Sequence, residues 1–151
     1  CSVRCKREVR VAGRHAVNSA YGGPEYETLD GFGGNCGIDD LQAIAKANEL
    51  CNRYVIDTIS TSATIAFAME CFERGLIGPA DTGGIELRFG NVDAMLRTIE
   101  LIGRREGFGA LLAEGSRRAA EAIGGDAPHY AMHVNGEELP SRDPRGIVSV
   151  G

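Results

Sequence analysis

The chain has 151 residues, which is enough for one domain with its own hydrophobic core. Its 16 Lys and Arg residues against 21 Asp and Glu residues give a net charge of −5, which argues against binding to nucleic acid or to an anionic membrane. No apolar run approaches the roughly 18 residues of a membrane-spanning helix.

The N-terminal third is rich in glycine and poor in helical pattern. Residues 1–20 are basic and mixed, with Val9, Val11 and Val17 as candidates for short extended pieces. Residues 21–37 contain six glycines, so they form either a mobile loop or a loop packed tightly around something. The aromatic residues in this stretch favour the packed alternative; they are Tyr21, Tyr26 and Phe32.

Four later segments have apolar residues at helical spacing, and we predict helices over 40–53, 63–74, 92–105 and 109–123. Asp39 and Asp40 place negative charge at the opening of the first helix, and Asn91 is a suitable cap for the third. The last two helices are expected to form an antiparallel hairpin around Leu96, Ile99 and Leu112. The predicted fold class is therefore all-α: a multihelical domain fragment with long glycine-rich N-terminal loops and an irregular C-terminal tail.

The five cysteines show no regular disulfide spacing, so we expect free or metal-bound thiols in a reducing cytoplasm. Cys1 and Cys5 form a Cys-x3-Cys pair that could share an iron–sulfur cluster, although two unrelated thiols explain the spacing equally well. The presence of Cys at position 1 leaves open a processed or truncated chain, which we favour, or a mature lipoprotein.

Two further groups could carry chemistry. Glu25 and Glu27 lie in the glycine-rich stretch, where a buried carboxylate could transfer protons, although two exposed turn acids are the simpler interpretation. Asp143 and Arg145 belong to an Asp-Pro-Arg-Gly run that is typical of a turn, and the Arg145 side chain could bind a phosphate or another anion.

Several segments together resemble the tungsten-dependent aldehyde:ferredoxin oxidoreductases. Their order and approximate spacing match that family over nearly the whole chain. The segments are 23–28 (GPEYET), 34–41 (GNCGIDDL), 47–51 (ANELC), 57–61 (DTIST), 68–70 (AME), 105–109 (REGFG), 112–116 (LAEGS), 138–140 (ELP) and 143–146 (DPRG).

The resemblance implies a larger enzyme with an N-terminal β domain and two mostly helical domains. Residues 1–151 would be a single fragment of the middle helical domain, and the flanking domains would be absent. The parent would hold a tungsten bis-pyranopterin centre and a [4Fe–4S] cluster, whereas the fragment alone is expected to hold neither. The expected partners are ferredoxin and the flanking domains of the same chain, with a homo-oligomer left open and no nucleic acid or membrane.

The resemblance also assigns site residues. Cys1 and Cys5 match two of the four cluster ligands, and Glu27 matches a proposed acid/base beside the tungsten. Asp57 matches the last residue of the family's Asp-x-x-Gly-Leu-Asp pterin motif, and Asn52 stands where the motif has its first Asp and can still form hydrogen bonds. Asp143 and Arg145 are further cofactor-binding candidates.

Val55 stands where that motif has Gly, and we expect a valine to avoid the positive φ that a glycine adopts.

The first functional hypothesis is therefore a fragment of an enzyme that oxidises aldehydes to carboxylates and passes electrons to ferredoxin. Two alternatives stay open. The parent could reduce aromatic acyl-CoA thioesters, as some members of the family do. The isolated chain could also be a non-catalytic helical module.

Overall fold

The computed structural model describes residues 2–3 and 7–141. Its helices are α1 (Tyr26–Asp30), α2 (Leu41–Tyr54), α3 (Thr58–Glu73), α4 (Val92–Arg104), α5 (Phe108–Leu112) and α6 (Ser116–Ile123). A hairpin of β1 (His133–Val134) and β2 (Glu137–Glu138) follows them. Shorter helical turns cover Ser19–Tyr21, Gly31–Asn35 and Ala127–His129. The prediction of a mostly helical fold is confirmed.

The glycine-rich stretch is packed, as its aromatic residues predict, but half of it is helical rather than a loop. Tyr26–Asp30 forms α1, and Gly31–Asn35 continues it as a π-helical turn. The Phe32 side chain is fully buried in the core and holds this turn in place. Upstream, Val11 and Val17 pair in an isolated antiparallel bridge, which confirms two of the three valines predicted to be extended.

The three long helices begin at side chains that accept hydrogen bonds from amides of the first turn, namely Asp40, Asp57 and Asn91. The predicted cap Asn91 is thereby confirmed, and of the two acids predicted at the opening of α2 it is Asp40 that forms the cap. The predicted start of α3 at residue 63 is wrong, because the Asp57 carboxylate caps a helix that begins at Thr58. The intervening Thr and Ser residues have low helix propensity, but the cap and the burial of that face outweigh it.

The hydrophobic core lies among α2, α3 and α4, with α5 and α6 closing one side. Its largest fully buried apolar side chains are Phe32, Ile65, Met69, Leu87, Met95 and Ile99. Within the described part of the chain, no single helix is long and apolar enough to span a membrane. Helices α2 and α3 pass that test only when they are taken together, and they are bent by 116° at their junction.

The predicted single helix over 109–123 is wrong: it is two helices, α5 and α6. The chain breaks at Gly115, whose φ of 87° lies outside the helical region. Helix α5 packs against α4, around the buried Ile99 and Leu112, as the predicted hairpin requires. Helix α6 instead packs against α3 and the turn Ala127–His129.

Val55 caps the C-terminus of helix α2 and has φ 58° and ψ 43°. The expectation that Val55 avoids positive φ is therefore wrong. The Ile56 amide donates to the Cys51 carbonyl at 3.0 Å and the Val55 amide donates to the Asn52 carbonyl at 3.3 Å. These two bonds form a Schellman motif, which requires a left-handed residue at this position, so the cap imposes the conformation on the valine.

We expect Val55→Gly to raise the free energy of unfolding by about 0.5–1 kcal/mol, because left-handed strain outweighs the extra chain entropy of glycine. The Val55 side chain is 90% exposed, so little packing is lost. Urea unfolding of the two proteins measures the difference. Val134→Gly is the control, because Val134 is also exposed but lies in a strand. Equal or lower stability of Val55→Gly would contradict the strain.

Candidate active site

The π-helical turn brings α1 against the start of α3. The Gly31 backbone lies so close to α3 that a Cβ atom there would collide with Ser62 Oγ. One hydrogen bond crosses the same contact, between the hydroxyls of Thr28 and Thr58, which are 2.9 Å apart. π-helical turns occur often at functional sites, and the predicted acid/base, Glu27, lies on the helix that precedes this turn.

Glu25 and Glu27, which the sequence alone does not separate, differ clearly in the structure. Glu25 precedes α1, its side chain is 60% exposed, and its carboxylate lies 3.8 Å from Arg7 Nη1. Glu27 lies in the first turn of α1 and is half-buried. Residues two apart do not share a helix face, so the interpretation of Glu25 and Glu27 as two equivalent turn acids does not apply.

The Glu27 carboxylate binds a segment that is distant in the sequence. Its Oε2 atom accepts a hydrogen bond from the Ser141 backbone amide at 2.9 Å. The Asn35 side-chain amide donates to Ser141 Oγ at 3.0 Å. Glu27 on α1 and Asn35 at the end of the π-helical turn therefore both bind Ser141. The hydrogen bond from the Ser141 amide fixes the Glu27 side chain.

Asp57, a predicted cofactor ligand, lies at the same α1–α3 contact as Glu27. The hydrogen-bonded Thr28 and Thr58 are the residues that directly follow Glu27 and Asp57. Asp57 Oδ2 accepts a hydrogen bond from the Ser60 amide at 2.7 Å and so caps α3. Asp57 also lines a cavity of about 290 Å³ between α3, α4 and α5. It therefore has a demonstrated structural role next to a space that could admit a ligand.

Asn52, the other predicted pterin contact, is exposed in the last turn of α2. Its amide nitrogen donates to the Asn48 carbonyl on the same helix at 2.8 Å. Asn48 itself is only 5% exposed, and its Nδ2 atom has no hydrogen-bond partner among residues 7–141. A buried amide nitrogen without a hydrogen-bond partner is costly. The polar groups at this end of α2 are therefore incompletely paired within the described chain.

A larger cavity of about 600 Å³ lies on the other side of the Ser141 contact. Its polar lining residues are Asp30, Asn35, Glu70, Ser116, His129 and Ser141. The rest of its wall is apolar and aromatic and includes Phe67, Phe89 and Tyr130. A cavity of this size with a mixed lining suits a small organic molecule that has both apolar and polar groups.

Sequence reasoning missed Glu138 as an important residue. Its Oε1 atom accepts hydrogen bonds from the Ser116 amide at 2.7 Å, from the Ser116 hydroxyl at 2.9 Å and from the Thr64 hydroxyl at 3.4 Å. Burial raises the pKa of Glu138, but the hydrogen bonds from Ser116, from its own backbone and from Ser60 together outweigh burial, and the net pKa lies below the usual value. Glu138 is therefore a carboxylate that ties the hairpin to α3 and α6.

The signal that could have revealed this hairpin is the dipeptide Asn135-Gly136. Both residues have positive φ, 57° and 94°, and they connect β1 to β2. Asn-Gly between two short strands is a strong indicator of a tight hairpin. The C-terminal segment is therefore partly ordered by a β-turn, where the sequence analysis expects only an irregular tail.

The remaining predicted site residues, Cys1, Cys5, Asp143 and Arg145, lie outside the described residues. Among the residues that are described, no group of three His, Cys, Asp or Glu side chains could hold a metal ion.

The other three cysteines are free and buried. Burial raises the pKa of the Cys36 and Cys51 thiols to about 12, and that of Cys71 to about 11. They are therefore protonated packing residues at neutral pH.

The structure defines a mostly helical domain with a half-buried, hydrogen-bonded glutamate, and the comparisons identify its family. A family described as "Aldehyde ferredoxin oxidoreductase, domains 2 & 3" matches residues 1–151. The chain belongs to the aldehyde ferredoxin oxidoreductase family, which confirms the resemblance seen in the sequence.

Three similar proteins illustrate the relationship. A tungsten-containing aldehyde ferredoxin oxidoreductase of Pyrococcus abyssi is 48% identical over 132 residues, covering 85% of this chain and 21% of that protein. The WOR-like subunit of an aliphatic sulfonate oxidoreductase of Pyrococcus furiosus is 34% identical, covering 90% of this chain and 22% of that protein. The BamBC active-site complex of benzoyl coenzyme A reductase, solved with 1,5-dienoyl-CoA, is 26% identical with a TM-score of 0.67, covering 77% of this chain and 17% of that one.

The chain therefore spans about a fifth of the length of the curated relatives that it matches.

Proposed function

We propose that the chain is part of a tungsten-dependent enzyme that oxidises an aldehyde and water to a carboxylate and passes the electrons to ferredoxin. The observation that carries this proposal is the half-buried Glu27, fixed by the Ser141 amide at 2.9 Å, in a chain whose relatives include tungsten-containing aldehyde ferredoxin oxidoreductases. The conversion of an aldehyde and water to a carboxylate releases two electrons and three protons, so the site needs both an electron acceptor and a proton acceptor.

The residues around the α2–α3 corner fit a pterin-type cofactor. A pterin presents ring donors and acceptors, which carboxylate and carboxamide groups can match. Asp57 borders the cavity of about 290 Å³, and on α2 the buried Nδ2 atom of Asn48 has no hydrogen-bond partner in the described chain. We propose that Asn52 and Asp57 hold the cofactor at this corner, with Asp143 and Arg145 as further ligands. When bound, the tungsten–pterin group supplies the two-electron chemistry.

The proposed role of Glu27 is proton transfer. A carboxylate that is half-buried and held by a backbone amide keeps one geometry, which a general base needs. Glu27 would orient the attacking water or the hydrated aldehyde and accept its proton. Asn35 and Ser141 support this geometry, because they bind each other on the side of the larger cavity.

Electron transfer would use a [4Fe–4S] cluster, with Cys1 and Cys5 as two of its four ligands. Thiolates are the usual ligands of such clusters. The other two ligands would have to come from parts of the enzyme outside these 151 residues. A cytoplasmic location and the use of ferredoxin remain predictions.

A second candidate function is reduction of an aromatic acyl-CoA. It is favoured by the structural similarity to the benzoyl coenzyme A reductase complex, with a TM-score of 0.67. The sequence relatives at 44–48% identity favour aldehyde oxidation. Assays of the full-length enzyme with aldehydes and a low-potential dye, and with aromatic acyl-CoA and a low-potential donor, separate the two functions.

We expect the isolated 151-residue chain to bind neither tungsten nor a complete cluster, whereas the full-length protein binds both. The reason is that the chain supplies only Cys1 and Cys5 to the cluster and only part of the pterin site. Elemental analysis and the visible iron–sulfur absorption of the two proteins, purified in parallel, measure this. Stoichiometric tungsten in the isolated chain would contradict the proposed division of the site.

A further inference from the structure

Glu138 connects three elements that are far apart in the sequence. It lies on β2, and its Oε1 atom accepts hydrogen bonds from Ser116 at the start of α6 and from Thr64 in the middle of α3. Ser116 and Thr64 are only 1% and 2% exposed. The carboxylate is therefore anchored to the rigid core rather than to mobile surface groups.

The anchor lies three residues before the contact with Glu27. Residues 139 and 140 are Leu and Pro, and the next residue, Ser141, donates its amide to Glu27 Oε2 at 2.9 Å. Proline restricts its own φ and the conformation of the residue before it, so this connection is short and stiff. A displacement of Glu138 is therefore expected to displace the Ser141 amide as well.

The hairpin alone does not provide this anchor. Its two strands contain only two residues each and are paired only with each other in the described chain. Isolated two-stranded hairpins are marginally stable in water. The carboxylate of Glu138 is the group that fastens β2 to α6 through hydrogen bonds of 2.7 and 2.9 Å.

We propose that Glu138 is a positioning residue for the active site: it holds the segment 138–141 on α3 and α6 so that the Ser141 amide fixes the Glu27 carboxylate. The proposal rests on the proposed function of Glu27, but its structural part can be measured separately. Glu138 contacts neither the reacting atoms nor the predicted cofactor ligands among the described residues, so its effect on catalysis passes through Glu27.

The structural part is tested by hydrogen–deuterium exchange in the full-length enzyme. We expect Glu138→Ala to raise the exchange rate of a peptide ending at residue 141 by about 10-fold, because local opening becomes easier. Glu138→Gln keeps an oxygen acceptor but loses the charge, so a smaller rise is expected. Glu137→Gln is the matched control, because Glu137 is the neighbouring strand residue and is exposed. If Glu138→Ala does not fold, an unchanged rate in Glu138→Gln overturns the proposal.

The catalytic part is tested by a double-mutant cycle with Glu27→Gln. We expect Glu138→Ala to lower kcat by about 10- to 100-fold, the loss that a small misplacement of a catalytic group causes, with tungsten content and KM little changed. In the Glu27→Gln background the same substitution should cost nothing further, because the group that it positions is already inactive.

The outcomes separate the two proposals. Losses that multiply in the double variant, or an unchanged exchange rate in Glu138→Ala, overturn the positioning role of Glu138. Normal turnover in Glu27→Gln overturns the proposed function of Glu27 and leaves the exchange result as a separate measurement of the anchor. Altered turnover in Glu137→Gln would show that any change in this hairpin disturbs the site, which also contradicts the specific role.

Discussion

Glu27→Gln in the full-length enzyme is expected to lower turnover by roughly 10²–10⁴-fold, the usual effect of losing a general acid/base. Glutamine keeps the shape of the side chain and an oxygen that can accept the Ser141 amide, but it cannot take up a proton near neutral pH. Metal and cluster contents should therefore stay normal. Steady-state rates and elemental analysis of the purified variant measure both expectations.

The control for this experiment is Glu25→Gln. Glu25 lies two residues away, before the first residue of α1, and its side chain is 60% exposed beside Arg7. An exposed ion pair of this kind contributes little to stability, so the variant should retain normal turnover. Near-normal activity of Glu27→Gln with tungsten retained would remove Glu27 from the mechanism. Equal losses in both variants would point to a general effect on this turn.

The helices that the sequence predicts best are those with both a cap and a clear apolar face. Helix α4 was predicted over 92–105 and is Val92–Arg104, because Asn91 caps it and its apolar residues recur at helical spacing. Helix α2 follows the same logic, with Asp40 as its cap. In both, local signals and tertiary burial agree, so the sequence alone is sufficient.

The sequence predictions are wrong where tertiary contacts or helix-cap hydrogen bonds outweigh the local sequence pattern. The apolar residues of 109–123 have helical spacing, but the left-handed Gly115 breaks the helix so that the next amide and hydroxyl, those of Ser116, can bind Glu138. At Val55, hydrogen bonds of the helix cap impose a conformation that the side chain disfavours. Neither outcome could be predicted without knowing the partner atoms.

Some residues of the candidate site could be identified from the sequence, and others only from the structure. Glu27 could be selected only through the family resemblance, because sequence spacing does not distinguish it from Glu25. The structure adds the α1 helix and the Ser141 contact, which do distinguish them. Glu138 could not be selected at all, because its importance depends on Ser116 and Thr64, which lie 22 and 74 residues away along the chain.

The close packing of α4 and α5 depends on Gly109, which gives the second large effect that we expect. Gly109 is buried, and a Cβ atom at this position would collide with the backbone carbonyl group of Leu101. Backbone atoms of a helix cannot rotate aside as a side chain can, so α5 would have to move away from α4. That movement would loosen the packing of Leu112 in the core.

We therefore expect Gly109→Ala to lower the free energy of unfolding by about 3 kcal/mol, at the upper end of the usual cost of overpacking. The urea midpoint, followed by the helical circular dichroism signal, should fall by about 1–2 M. Gly103→Ala is the informative comparison, because its Cβ would collide with the ring of Tyr54, which is a side chain rather than helix backbone, so a smaller loss is expected. Gly78→Ala is the control, since the nearest atom to its Cβ is 4.0 Å away. If Gly109→Ala is no less stable than Gly78→Ala, the two helices do not depend on this close backbone approach.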